Sequence, residues 1–262
     1  MRTTLIACAL AAVAALPTAP ARAADDIAAL LSAADRYRTG SDNLQLETEV
    51  TVLKRDGSVD KERRYTVFSQ AGHRSLVLMR SPAEAGQKVL MLGDDFWLLM
   101  PGSARPLRIT PTQKLLGDAS TGDIATLRWA EDYSGSVAGE EPCAQAAGGI
   151  AAAATTGPAQ CLHLSLAAAR KGLSYARIEL WLGKARHEPV AAELYVQSDK
   201  LAKVARFVVD KPGAPTQVEA MVLQDRLSNH LETRVRYVAR ASKTVPEAWL
   251  NPMFLARSPA LE

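Results

Sequence analysis

The sequence predicts a mainly β domain, a run of antiparallel hairpins arranged as a sandwich or barrel and opened by one amphipathic helix. Three observations predict it. Period-two segments recur at regular spacing along the second half of the chain, with Gly, Pro and Asp between them. The segments VLMLG and FWLLM, separated only by Asp94 and Asp95, are apolar at nearly every position, whereas a sheet wetted on one face alternates apolar and polar residues. A 3.6-residue spacing of apolar residues opens the chain just after Asp25 and Asp26, as a helix lying on an apolar surface requires.

The first 23 residues read as an export leader. Arg2 is the charged start, Leu5 to Leu16 the apolar run, and Ala21-Arg22-Ala23 an A-x-A cleavage site. Too little apolar chain precedes Cys8 for a lipoprotein-type cleavage there. One domain over residues 24–262 then remains, large enough for a sizeable core or cavity. No later stretch reaches the roughly 18 apolar residues of a membrane-spanning helix.

Asp25 or Asp26 caps the expected helix, in which Ile27, Leu30, Leu31 and Ala34 share one face and Gly40 marks the end. From Asn43 to Arg55, Leu44, Leu46, Thr48, Val50 and Val52 alternate with Gln45, Glu47, Glu49 and Thr51, a strand with one wet face. Asp56-Gly57 turns the chain into RRYTVFSQ, and Ala71-Gly72 turns it again into HRSLVLMR. The doubly apolar hairpin follows and is stopped by Pro101 and Gly102. A polar loop is expected from Thr110 to Ser136, with a helical turn around Asp123 to Trp129. QCLHLSL, SYARIELWL, EPVAAELYV, KLAKVARFVV, TQVEAMVLQD and HLETRVRYVA then read as six strands, and Pro246 to Leu255 as a last helical turn on the sheet.

Composition narrows the function. The chain has 31 Lys and Arg, of which Arg2 and Arg22 fall in the leader, against 28 Asp and Glu; this balance gives no footprint for nucleic acid. His73, His163, His187 and His230 have no metal-ligand spacing, and no metal or cofactor is expected. No nucleophile elbow, phosphate loop or dinucleotide fingerprint occurs. The adjoining carboxylates Asp25-Asp26, Asp94-Asp95, Glu131-Asp132 and Glu140-Glu141 sit where turns and loops place solvated acids. The protein is therefore not expected to be an enzyme. Cys143 and Cys161, which bracket a small-residue segment, are expected to form a disulfide in an oxidising compartment.

Periodicity leaves two explanations for the apolar hairpin. One is a filled core with something packed on the outer face. The other is a curved sheet whose concave side encloses an apolar ligand. The candidate lining residues are Val50, Val52, Leu90, Leu92, Phe96, Leu98 and Met100, with Trp97 beside them, and only one face of the hairpin can serve. Arg80, Arg105 and Arg108 flank it, either as a solvated rim or as holders of a phosphate, ester or carboxylate headgroup.

Ser81-Pro82, the G-x-x-V-L run from Gly86 to Leu90, FWLLMP, the R-x-T-P-x-Q run from Arg108 to Gln113, Gly117-Asp118, Gly122-Asp123-Ile124 and Asp132-Tyr133 resemble the LolA-like outer-membrane lipoprotein-sorting proteins. The likeness continues through RIELWLGKARHEPVAAELY and ETRVRYVARASKTVPEAWLNPMFL, and spans about Asp25 to Phe254. The Ala- and Gly-rich insertion between the cysteines departs from the pattern. The resemblance implies an incomplete antiparallel β-barrel with a helical lid. It implies a periplasmic carrier of the acyl chains of lipoproteins or lipids toward the outer membrane, with an inner-membrane exporter and an outer-membrane acceptor as partners. The alternative function is an accessory subunit of an inner-membrane lipid exporter of the resistance-nodulation-division type, without cargo of its own. An envelope hydrolase is the third reading.

Overall fold

The computed structural model describes residues 21–125, 128–150, 157–225 and 229–256. All but the last three residues of the expected leader lie outside them. Helix α1 (Ala21–Arg38) comes first. It begins ahead of Asp25 and Asp26, so these lie inside it rather than capping it, in keeping with the helix-favouring ARAA that precedes them. The helix ends as expected: Thr39 and Gly40 donate their amides to Asp35 and Arg36, and Gly40, at φ 72°, takes the left-handed conformation that glycine adopts without strain. Ile27, Leu31 and Ala34 are buried from this helix.

Six strands follow in a meander: β1 (Leu44–Lys54), β2 (Val59–Gln70), β3 (Arg74–Met79), β4 (Lys88–Leu92), β5 (Asp95–Leu99) and β6 (Leu107–Ile109). A small hairpin, β7 (Lys114–Leu116) and β8 (Ala119–Ser120), leads into α2 (Thr121–Ala125) and α3 (Trp129–Asp132). A second meander contains β9 (Tyr133–Pro142), β10 (Gln160–Ala168), β11 (Arg177–Gly183), β12 (Pro189–Tyr195), β13 (Leu201–Val209), β14 (Val218–Gln224) and β15 (His230–Ser242). The first and last strands of these two runs, β1 and β15, pair antiparallel. The result is one 13-stranded sheet with β6 at one edge and β9 at the other.

The two edges do not pair, so the curved sheet is an incomplete barrel. The chain from β6 to β9 must cross from one free edge to the other. Its expected loop is thus a lid of short elements. Strand β9 itself was not anticipated, because YSGSVAGEEP offers no apolar alternation; it is an edge strand whose middle residues are exposed.

The concave face and the lid share the main core. Leu44, Leu46, Val50 and Val52 from β1 pack there with Ile27 and Leu31 from α1 and with Leu180, Leu182, Leu223 and Val235 from the second meander. Each such side chain contributes about 1.5–3 kcal/mol by leaving water. The convex face is covered at both ends. Val245, Leu250 and Leu255, from the tail that carries α5 (Pro252–Leu255), pack on Phe68, Leu76, Leu78, Leu90 and Leu99. At the far end, Cys143, Ala146 and Ala147, around the short segment α4 (Ala146–Gly149), cover Trp181, Ala191 and Val204. This two-sided cover is why the β4–β5 hairpin has no polar face: the tail lies outside it and the core inside.

Cys143 and Cys161 are bonded. They tie the start of the connection between β9 and β10 to strand β10, where Cys161 lies opposite Glu141. Replacing both by serine removes a constraint on a loop 18 residues long, for which loop-closure entropy gives about 3 kcal/mol. A urea titration of the double variant should show a loss of that order, matched by reduction of the wild type.

A candidate ligand site under a pinned lid

Between lid and sheet lies a cavity of about 40 Å³, lined from the lid side by Arg38, Gly122, Asp123 and Trp129 and from the sheet side by Ile178, Leu194, Ala205, Phe207 and Met221. Its walls are mostly apolar, and Trp129 meets Phe207 edge to face at 5.5 Å. Such a volume holds a few water molecules. Small-molecule sites usually offer roughly 300–1,000 Å³. The second explanation of the apolar hairpin required an open hollow; the interior is instead nearly filled by the protein's own side chains.

Charged groups fasten the lid. Asp123, in α2, accepts hydrogen bonds from Lys203 Nζ on the inner face of β13 at 2.6 Å and from the Tyr175 hydroxyl at 2.6 Å. Ser120 adds its amide and hydroxyl, each at 2.8 Å. The Lys203 and Asp123 side chains are 8% and 3% exposed. Removing one partner of such a buried pair costs about 3–5 kcal/mol, because a charge is left alone in a poorly polarisable interior. Burial and the neighbouring Asp123 carboxylate push the Tyr175 hydroxyl well above its ordinary range. It therefore donates to Asp123 throughout the physiological range.

Asp35 joins α1 to α3. Its carboxylate accepts from the amides of Trp129 at 3.0 Å and Ala130 at 2.9 Å, the first two residues of α3, where unpaired helix amides need acceptors. Arg38 pairs with Asp35 at 3.4 Å and lies 3.8 Å above the Trp129 ring. Helices α1 and α3 are thus one unit. A third fastening is the β7–β8 turn, where Asp118 N donates to Thr233 Oγ1 on β15 at 2.9 Å. Gly117 at this turn, φ 55°, lies so close to Val52 and Thr233 that a Cβ would stand 2.6 Å from each.

A fourth set of contacts closes one end of the gap. Arg170, between β10 and β11, bridges Asp94 in the β4–β5 turn and Asp132 at the end of α3, at 2.7 Å each. Gly172 comes within 2.5 Å of Asp94 Cα measured from where its Cβ would be. No larger residue fits there without moving the turn. Asp132 is also faced by His73 at 3.2 Å. Burial raises the Asp132 carboxyl, and the Arg170 hydrogen bond opposes that shift.

The structure divides the residues expected to line a cavity. Val50, Val52 and Phe96 are buried in the concave core, and Leu98 packs against it. Leu90, Leu92 and Trp97 belong to the convex cluster under the tail, because strand alternation turns them the other way. Of the two hairpin faces, theirs is the outer one. Met100 lies past the end of β5 and is 39% exposed. The three flanking arginines do not converge on the interior. Arg80 donates to Thr66 Oγ1 at 2.8 Å, Arg108 pairs with Asp95 over the outward-facing Trp97, and Arg105 is exposed. The cationic group that lines the cavity is Arg38, and Lys203 pairs with the lining Asp123. No motif signals Arg38; Lys203 shares the strand alternation of the apolar Ala205 and Phe207 in KLAKVARFVV, the one sequence feature that marks it.

A family profile described as "Uncharacterized protein" matches residues 71–257. The chain belongs to that family. The fold is that of a LolA superfamily protein from Nitrosomonas europaea, at TM-score 0.72 and 24% identity over 85% of this chain and 96% of that one. A DUF1329 family protein from Desulfovibrio piger follows at TM-score 0.67 and 20% identity, covering 89% of this chain and 99% of that one. An outer membrane lipoprotein-sorting protein domain from Vibrio parahaemolyticus has TM-score 0.62 and 16% identity, with 87% and 97% covered. Among curated proteins none matches the chain. The LolA-like resemblance read from the motifs therefore holds for the fold. No helix among the described residues is long and apolar enough to cross a membrane.

Burial raises the Asp35 carboxyl above its ordinary 3.8, against the lowering pull of Arg38 and the two amides. The folded protein thus holds this proton to higher pH than the unfolded chain. Its favourable contribution is complete below the ordinary value and is lost as pH rises through the raised one. Asp35→Asn removes the titration. The stability of wild type minus that of the variant, from urea midpoints, should fall as pH rises above the ordinary carboxyl range, about 4; a constant difference contradicts this placement of Asp35.

Proposed function

We propose that the protein is a periplasmic carrier that takes acyl chains of lipoproteins or lipids between its concave sheet and lid and moves them toward the outer membrane. The observation that carries this reading is an apolar concave face covered by a separate segment held down by a few polar contacts. A carrier needs such a cover: cargo enters and leaves only if something moves, and here the sheet need not. The LolA-like fold and the leader sequence support the same reading.

Energetics make the mechanism concrete. Burying methylenes yields about 0.8 kcal/mol each, so a chain of fifteen gains roughly 12 kcal/mol before other terms. Against this stand the cost of separating Lys203 from Asp123 and of displacing Trp129 from Phe207. These costs, about 3–5 kcal/mol for the ion pair and about 0.5–1.5 kcal/mol for the ring contact, offset only part of that gain, so release needs a membrane partner to supply the rest. A carrier with a permanently open hollow would bind more tightly and release poorly.

The nearly filled interior favours a second reading, an accessory module that docks on an inner-membrane exporter and carries nothing. One assay separates them. Delipidated protein should take up a fluorescent acyl probe, Leu98→Asp should weaken uptake at least tenfold, and Leu92→Asp on the convex face should leave it near wild type. Failure of the wild type to bind any acyl probe, with copurification of an exporter, favours the accessory module.

A further inference from the structure

Two polar atoms at the cavity have no hydrogen-bond partner. They are Arg38 Nε and Ser174 Oγ, both buried among the described residues. A buried donor left unpaired costs about 1–3 kcal/mol, and native proteins contain few. The other polar groups lining this space are occupied. Asp123 accepts from Lys203, Tyr175 and Ser120, the Tyr175 hydroxyl is spent on Asp123, and the Tyr133 hydroxyl donates to the Tyr175 carbonyl at 3.2 Å. Two residues that line a mostly apolar space therefore each carry a buried donor that lacks an acceptor.

Charge decides what kind of acceptor. Arg38 is matched by Asp35 and Lys203 by Asp123, so the interior is already neutral pair by pair. A carboxylate would bring an uncompensated charge into a poorly polarisable site, which is costly. An uncharged carbonyl oxygen carries two lone pairs and no net charge, and so can accept from such donors without that penalty. Ser174 is held in place by its neighbour: a Cβ on Gly122 would stand 2.0 Å from Ser174 Oγ, so the hydroxyl occupies the space that this glycine leaves. The cavity has room for a water on these donors in the empty protein, and a ligand oxygen would replace it.

We propose that Arg38 Nε and Ser174 Oγ are the docking point for the uncharged carbonyl of an ester- or amide-linked acyl chain. The tail then runs along Ile178, Leu194, Phe207 and Met221. The inference rests on the carrier reading and sharpens it: the cargo is an acyl ester or amide, not a free fatty acid, and its polar end sits under α1 rather than at the outer arginines.

Three ligands of one chain length test it by displacement of the acyl probe: monoolein, oleate and 1-octadecene, which has no acceptor. Wild type should bind monoolein at least tenfold more tightly than either of the others. Ser174→Ala, a change small enough to leave the fold intact, should shrink the advantage of monoolein over 1-octadecene by three- to tenfold. Arg38→Lys, which keeps the charge but loses Nε, should do the same. A diacylated cysteinyl peptide compared with monoolein then tells a lipoprotein source from a glycerolipid one, and preference for either is consistent with an acyl carbonyl. Equal affinity for monoolein and 1-octadecene, tighter binding of oleate, or an unchanged monoolein advantage in Ser174→Ala overturns this inference alone. Absence of binding by all of them overturns the carrier reading and this inference with it.

Discussion

The contact between Asp123, on the segment that links the two free edges of the sheet, and Lys203, on the sheet's concave face, holds shut an opening that strand pairing leaves. Hydrogen bonding between strands ends at β6 and β9, and nothing in the ladder joins those edges. The connection between them is forced by topology to lie across the gap. Its short elements have too little length to be stable as isolated helices or strands. They stay folded because Ala119, Ile124, Ala125 and Trp129 are buried in the main core and directed contacts pin them there: Asp123 to Lys203 and Tyr175, Asp35 to the first amides of α3, Asp118 N to Thr233, and Arg170 across to Asp94 and Asp132.

Polar pins of this kind suit a cover better than apolar packing would. Hydrophobic contact is non-directional and survives sliding, so a lid fixed by it alone could shift without letting go. A buried ion pair is strongly favourable when its geometry is right and strongly unfavourable once one partner is lost. That gives two distinct arrangements rather than a continuum. Beneath the cover, Trp129 and Phe207 occupy space that a guest would need, so admission of a guest and displacement of the lid are one event. The fastened helix α1 takes part, because Asp35 and Arg38 tie it to α3 and place Arg38 at the cavity.

Much of the sheet was legible in the residues. The alternation of Leu44, Leu46, Val50 and Val52 assigned the faces of β1 correctly, Gly40 ended α1, and the two cysteines met. The doubly apolar hairpin was read as covered on both faces, which it is, by the core and by the tail holding Leu250 and Leu255. The split of its side chains between those faces was not legible, since Leu90 and Phe96 look alike as residues and differ only in strand register. Strand β9 was hidden because an edge strand needs no apolar alternation. The lid was hidden because its segments are held by Asp123, Asp35 and Arg170, whose partners lie far away in sequence. Arg80, Arg105 and Arg108 attracted notice by adjacency to the hairpin, yet pairing with Asp95 and Thr66 turns two of them to the convex side.

Hydrogen exchange, followed by mass spectrometry on peptides from the lid and the sheet, tests most directly whether the cover moves while the sheet stays. Amides of residues 117–125 and 129–132 should exchange through an opening much cheaper than global unfolding, and Lys203→Met should speed that opening with β1 and β15 still protected. If lid and central strands exchange together in wild type, only as the whole molecule unfolds, then the lid is an inseparable part of the core and the account fails.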